Sequence, residues 1–351
     1  MPKHKIGILD FDPLVNLLPG ARKCFLDITA LSHNELLDTL SSLDTAFDSM
    51  ILSTVDHWHN YEQEQEIFDH PVLKDKLVFL QTQTYQNQYL GHNCWRLSYP
   101  SWYLNRHSQY RQSPGLREFR IKPKQLPRGF GCLNNRPALH RLLLGTALNN
   151  RGLLDQMIFT QNNTQAMCHT NPVYPAGCID PQCNEDPGIL DSVLGWYEYL
   201  RLLPIKWQNQ AIQNQHCVYH DAEINTYCNI LTEATTGRIP YNLDINLPEI
   251  SEKSHKPFVS GQIPLYLAAR GHTAYLQGIG FEVMSDLTPA GFDDLGTLDR
   301  IQAIVDVVAR GRDWIENFYY DHIKEIQHNH ELVFAHKTDQ IILQRIQEVV
   351  A

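Results

Sequence analysis

The chain has 351 residues, of which 43% are hydrophobic and 19% charged, with a formal net charge of −10. This composition gives room for two domains that each bury a core; it excludes a largely disordered chain and disfavours a protein devoted to gripping duplex nucleic acid. No run of about 18 apolar residues occurs, and the start MPKHKIGILDFD passes from a short basic stretch into a strand-like run, so a membrane span and a signal peptide are not expected and a cytoplasmic location is.

In chain order, residues 5–9 read as a strand ending in Asp10, Phe11 and Asp12. Residues 31–43 place Leu36, Leu37, Leu40 and Leu43 at helical spacing, with Ser32 or Asn34 as cap. Residues 49–55 form a strand ending in Asp56, His57, Trp58 and His59, and residues 77–80 another. Ligands lie at the ends of parallel strands, so Asp10, Asp12, Asp56, His57 and His59 are candidates to face a cleft. Trp95, Tyr99, Trp102 and Tyr103 could stack on a sugar or base ring, although packing is the commoner use of such residues. Asp10 and Asp12 could also hold a divalent metal, or serve as nucleophile and acid of a haloacid-dehalogenase-like phosphatase. The lysine and later acidic pair of that phosphatase are poorly matched by Lys74, Lys76, Asp293 and Asp294, so two acids ending a strand are favoured.

Between Arg111 and Arg128 periodicity gives way to Pro114, Gly115, Pro123 and Pro127, which sets domains at 1–126 and 127–320 and a helical extension at 321–351. Arg106, Arg111, Arg117, Arg120, Lys122, Lys124 and Arg128 crowd there, read as a solvated linker in preference to a stripe facing nucleic acid. Residues 130–133 are a strand, and Pro137 suits the first turn of a helix with Leu139, Leu142, Leu143 and Ala147 on one face, closed by Gly152. Arg136 and Arg141 bring forks suited to a diphosphate, with His140 on a different face. A strand at 157–160 precedes a Pro/Cys/Asn-rich insert at 161–187 and an aromatic helix at 190–203. The eight cysteines read as free thiols; Cys168, His169, Cys178 and Cys183 crowd into the insert without a common zinc spacing. Thr297 is expected to cap a helix carrying Ile301, Ile304, Val305, Val308 and Ile315, and residues 338–350 to form a last helix.

The stretch 224–281 organises the whole. A buried strand ends in Thr232 and Glu233, a polar loop follows, Ser251, Glu252 and Lys253 open a short helix, and a second apolar run spans 263–268. With Ser251 as cap, the helix start would favour an anion, and Lys253 in the first turn makes better sense opposite a diphosphate than within the helix. Glu233 and Glu252 cannot bind phosphate but can accept from both hydroxyls of a ribose or a sugar. One lysine with two acids therefore suits a nucleotide-sugar.

Ser251, Glu252 and Lys253, then Lys256 and Pro257, the turn and strand from Gly261 to Pro264, and Gly280 with Phe281 resemble the donor-binding half of GT-B-type glycosyltransferases, in particular the fucosyltransferase-like pattern. Residues 129–160 are similar to its first strand, arginine-bearing helix and second strand, so the resemblance spans roughly Pro127 to Arg312. It implies an α/β protein of two Rossmann-like domains facing a central cleft, with C-terminal helices, the last of which often returns to brace the first domain. It also implies transfer of a sugar from a nucleotide-sugar to an acceptor hydroxyl, inverting and metal-independent, with the nucleotide-sugar as co-substrate and no cofactor required. Lys253 with Arg136 or Arg141 would offset the diphosphate charge, Ser251 would lie at the donor site, and Glu252 and Glu233 would hold hydroxyls. The base would come from Asp56, His57 or Asp10, because the strand at 77–80 is followed by Gln81, which cannot be one. The acceptor is open among a glycan, a protein, a small molecule and a hydroxymethylated DNA base, and a non-catalytic sugar-nucleotide-binding or scaffold protein is the alternative class.

Overall fold

The computed structural model describes residues 23–27, 33–42, 48–53, 66–73, 76–82, 88–91, 94–98, 114–134, 139–161, 225–233, 250–251, 253–335 and 337–350. The chain is mixed α/β and divides into two compact units, residues 1–106 with 336–351, and residues 107–335.

In the first unit, β1 (Lys23–Asp27), α1 (His33–Ser42), β2 (Ser49–Ser53), β3 (Leu77–Thr82), β4 (Gln88–Gly91) and β5 (Cys94–Ser98) build a five-stranded sheet of order β1-β2-β3-β5-β4. All neighbours are parallel except the β4–β5 pair. Consecutive buried residues Met50, Ile51 and Leu52 make β2 an interior strand covered on both faces. Leu36 and Leu40, one turn apart on α1, join Met50, Leu52, Val78 and Cys94 in its core. The strand expected at 5–9 lies outside the described residues, and β1 and the β4–β5 pair were not anticipated: each is short and lacks a long apolar run. The last helix, Lys337–Val350, groups with this unit.

The second unit opens with α2 (Pro114–Arg117), then β6 (Phe130–Asn134), α3 (Leu139–Asn150), a 3₁₀ turn at Leu154–Gln156, β7 (Met157–Gln161), β8 (Cys228–Thr232), α4 (Lys256–Val259), β9 (Ile263–Leu267) and α5 (His272–Gly278). After a 3₁₀ turn at Phe292–Asp294 come α6 (Thr297–Ala309), α7 (Arg312–Asp321) and α8 (Ile323–Phe334); α9 is the Lys337–Val350 helix already placed. Its sheet is four-stranded, parallel throughout, in the order β7-β6-β8-β9. β8 and β9 are buried at every position, so they read as continuous apolar runs. Among the described residues β9 is an outer strand. The Ile263 N–H donates to the Tyr227 carbonyl at 2.9 Å and the Leu267 carbonyl accepts from the Glu233 N–H at 3.1 Å, so odd-numbered residues of β9 turn their polar groups to β8 and Pro264 sits where a donor would point outward.

The core between sheet and helices holds Phe130, Leu144, Leu148, Ile304, Val308 and Ile315. α3 packs against α6, and Gly152, with φ +65°, closes α3 by donating to the Asn149 carbonyl. The expectation of one helix from Thr297 through Ile315 needs correction. α6 is preceded by Gly296 with no side-chain cap, Thr297 is its first residue, and the chain turns at Gly311, φ +89°, before α7 carries Ile315. Ile315 keeps helical phase with Ile304 and Val308, which hides the break; only glycine adopts that backbone cheaply.

The basic stretch, in its described part, packs onto this unit. The Lys122 N–H donates to the Tyr319 hydroxyl at 3.1 Å, the Tyr320 hydroxyl donates to the Lys122 carbonyl at 2.6 Å, and the Gln125 N–H donates to the Glu316 carboxylate at 3.1 and 3.2 Å. The Tyr227 hydroxyl accepts from the Leu126 N–H and donates to the Pro123 carbonyl. Side chains of α7 and of the approach to β8 thus replace the ladder this irregular segment lacks.

Candidate functional site

β6, β8 and β9 run parallel, so their C-terminal ends share one edge of the sheet, the edge at which α/β sheets hold ligands. The Thr232 hydroxyl there donates to Asn134 Oδ1 at 2.6 Å, joining the ends of β6 and β8. Glu233 follows, buried to 2% exposure, and nearly every polar group it owns is engaged. Its N–H bonds the Leu267 carbonyl, and its carbonyl accepts from His140 Nε2 at 3.1 Å and Arg141 Nη2 at 3.4 Å. Its carboxylate accepts from the Ser251 hydroxyl at 2.5 Å through Oε2 and from the Ser254 hydroxyl through Oε1.

The two serines belong to one turn. The Ser254 N–H donates to the Ser251 carbonyl at 3.2 Å, and Ser251 Oγ accepts from the Lys253 N–H at 3.2 Å and from Lys253 Nζ at 3.4 Å. From the other side, Ser254 Oγ lies 3.4 Å from His272 Nε2, the Tyr266 hydroxyl donates to the Ser254 carbonyl, and the rings of Tyr266 and His272 are 4.7 Å apart. The expectation that Ser251 caps the helix is therefore corrected. α4 starts at Lys256, has four residues, and follows His255 with no side-chain cap. Glu233 draws Ser251 Oγ into the strand end, and Pro257, with its fixed φ, suits the start of a helix that begins three residues beyond Lys253. Lys253 accordingly sits on the turn and not in the helix, and a helix-start anion site is not part of the arrangement.

Of the residues singled out from sequence, the structure brings together Arg141, Glu233, Ser251 and Lys253. Asp10, Asp56, His57, Arg136 and Glu252 lie outside the described residues, as do Asp12, His59 and the Cys168–Cys183 insert. Arg141, 4% exposed, directs Nη2 to the Thr232 carbonyl at 3.1 Å as well as to that of Glu233. His140 was expected on a different face from Arg141, yet both reach the Glu233 carbonyl, because they flank the point where α3 passes over the end of β8. Gln81 is inside β3, in register with Ser53 and Leu97. Asp293 accepts from the N–H groups of Thr273 and Ala274 at the start of α5, which gives it a structural employment at odds with a phosphatase's acidic pair.

Sequence reasoning set His140 aside and passed over Asn134, Ser254, Tyr266, His272 and Arg300. Arg300, 1% exposed, donates from α6 to the Ala268 carbonyl just past β9. Ser254 had a signal, three residues after Ser251 and so able to close the same turn; the others come from separate stretches of the chain, and only the fold makes them neighbours.

Burial holds His140 down to about 3, helped by the positive charges of Arg141 and Lys253 and opposed by its bond to the Glu233 carbonyl, so it is neutral and donates from Nε2. Burial alone would raise Glu233; Lys253, His272 and the two serine hydroxyls more than offset this and keep its carboxyl below the usual range. Burial, then the Glu233 charge, raises Tyr266 well above its ordinary value, in keeping with a hydroxyl that only donates. Between about pH 6.5 and the lowered value of His140, the unfolded chain binds a proton that the folded one refuses, so stability falls on acidification. Glu233 acts in the same direction further down, its contribution complete above the ordinary carboxylate range and lost as pH drops through its lowered value. His140→Gln, whose amide can still donate to the Glu233 carbonyl, should flatten the acid side of urea-midpoint curves taken from about pH 7 to about pH 4. Equal slopes in the two proteins would refute the assignment.

No protein-family profile matches the chain, and no curated protein matches it. Among solved structures, one titled "Crystal Structure of alpha1,3-Fucosyltransferase" aligns over 95% of this chain and 97% of its own, at 11% identity and a TM-score of 0.35. Among the described residues no helix is long and apolar enough to cross a membrane, and no group of three or more His, Cys, Asp or Glu side chains could hold a metal ion.

Proposed function

We propose that the protein is a glycosyltransferase that moves a sugar from a nucleoside diphosphate-sugar to an acceptor hydroxyl. The observation that carries this reading is Lys253, a half-buried amine on a turn anchored at the ligand-holding edge of a parallel sheet, beside the ionised Glu233. In the transfer, the bond from the anomeric carbon to the diphosphate breaks and the nucleoside diphosphate leaves with the electron pair. The acceptor oxygen bonds to that carbon and its proton passes to a base. Lys253, with Arg136 or Arg141, would offset the charge growing on the leaving group, and Glu252 would accept from ribose or sugar hydroxyls. A single displacement needs one base, drawn from Asp56, His57 or Asp10, no enzyme nucleophile and no metal, and it inverts the anomeric carbon. The reading includes the GT-B-type pairing of two Rossmann-like halves, a cytoplasmic setting, and an acceptor that is a glycan, a small molecule or a hydroxymethylated DNA base.

A thermal-shift screen of the full chain against UDP-, GDP-, ADP-, CMP- and dTDP-sugars tests it, with and without magnesium. A ligand at 100 times its dissociation constant adds about 2.7 kcal/mol. One nucleotide class should raise the melting temperature, and Lys253→Ala should lose the effect. If no nucleotide does so under either condition, the transferase reading fails; dependence on Asp10 and magnesium with indifference to Lys253 would mark a phosphatase instead.

A further inference from the structure

We propose that Glu233 is a positioning residue, which clamps the 251–254 turn so that the Lys253 amine is held ready for the donor's diphosphate, and that it is not itself a ligand of ribose or sugar hydroxyls. The inference rests on the transferase reading and departs from the role the sequence pattern assigns to this acid. Its ground is the number of elements that meet on one residue. The main chain of Glu233 is fastened to β9 through the Leu267 carbonyl and to α3 through His140 and Arg141. Its two carboxylate oxygens each take a serine hydroxyl from the turn. Ser251, held in this way, is the atom against which both the Lys253 N–H and Nζ rest. Ser254, the other serine, is fixed a second time by Tyr266 and approached by His272.

Each part of the arrangement has a direction. A carboxylate accepts and cannot donate, so both serine hydroxyl protons must point at Glu233, which leaves Ser251 Oγ its lone pairs for Lys253. The helix that follows the turn, α4, is one turn long and lacks a side-chain cap, so the clamp adds to the hold that Tyr266 has on Ser254. At 2% exposure, the Glu233 carboxylate would have to give up buried bonds to greet a hydroxyl. A group fixed by its neighbours, and fixing a functional cation in turn, is what a pre-organised site requires.

The test compares wild type with Glu233→Gln, Ser254→Ala, Lys253→Ala and the double variant Glu233→Gln/Lys253→Ala, each confirmed to unfold cooperatively. In the first arm no nucleotide is present: the amines are acylated with a dilute N-hydroxysuccinimide ester, and the rate at Lys253 is read by peptide mass spectrometry against Lys256. Both Glu233→Gln and Ser254→Ala should label Lys253 several-fold faster than wild type. Ser254→Ala leaves the charge at 233 in place, so acceleration there reports position. Unchanged rates in both variants overturn the proposal, whether or not any nucleotide binds.

In the second arm, UDP, GDP and ADP are compared with uridine, guanosine and adenosine by calorimetry. Glu233→Gln should weaken the bound diphosphate by up to about 100-fold, leave the parent nucleoside within a factor of about two, and add little when Lys253 is already alanine. Equal weakening of nucleoside and diphosphate, or full additivity with Lys253→Ala, would make Glu233 a direct ligand and overturn the proposal. Absence of nucleotide binding to wild type would sink the transferase reading, and the labelling arm would then decide the clamp alone.

Discussion

Phe258→Ala is expected to lower the stability of the second unit by about 3–5 kcal/mol, read as a fall in the urea midpoint with an unchanged slope. Phe258 is fully buried and its ring is stacked on that of Phe281, with centroids 4.2 Å apart and planes 13° from parallel. Alanine removes the ring, the stacking and the contacts around it together, leaving a cavity that neighbouring main chain is poorly placed to fill. α4 is the single turn that Phe258 anchors, with Pro257 and Val259, against β9 and α8. The loss should therefore reach the site, and Lys253, three residues before α4, should become more reactive toward amine reagents. Phe258→Leu should recover much of the midpoint because it refills most of the volume. A midpoint within about 1 kcal/mol of wild type for Phe258→Ala would show that α4 is not held in place by this contact.

Lys253→Ala is expected to lower the turnover number by about 10²–10³-fold once a donor is in hand, measured either as transfer or as slow hydrolysis of the donor with water as acceptor. In the proposed displacement the diphosphate gains charge as the sugar leaves, and the lysine meets more charge in the transition state than in the bound donor. Removing it should act on turnover beyond its effect on donor affinity. Lys253→Arg keeps the charge but not the compact ammonium that rests on Ser251 Oγ, so partial activity is expected. A loss confined to KM would assign Lys253 to donor binding alone, and no change in either constant would remove it from the site.

How much could be read in the sequence follows from the kind of signal each part carries. The strands of the second unit were legible because β6, β7, β8 and β9 are short apolar runs bounded by glycine, proline or polar residues, and buried parallel strands look like that. Leu36 and Leu40 likewise declared α1 by spacing alone. The errors fall where two local readings compete. Ser251 looks like a helix cap in sequence, but a buried carboxylate 18 residues earlier is a stronger attraction for its hydroxyl. Ile315 fits the phase of α6 although Gly311 has ended that helix. Arg141 and His140 seemed to point apart on a helical wheel, which cannot show that a strand end lies within reach of both. Arg141, Glu233, Ser251 and Lys253 stand out in the sequence, yet their mutual bonds depend on β6, β8 and β9 lying side by side, and that order is written nowhere in local pattern.

Pro264 has a consequence beyond its own strand. β9 offers two outward-facing positions, 264 and 266, and the first has no hydrogen to give. A foreign strand laid along that edge would find one donor where a continuous ladder needs two, and would meet a pyrrolidine ring at the vacancy. The sheet of the second unit thus carries a guard against self-association into fibres, placed in a strand that is outermost among the described residues and whose main chain would otherwise be a template for it.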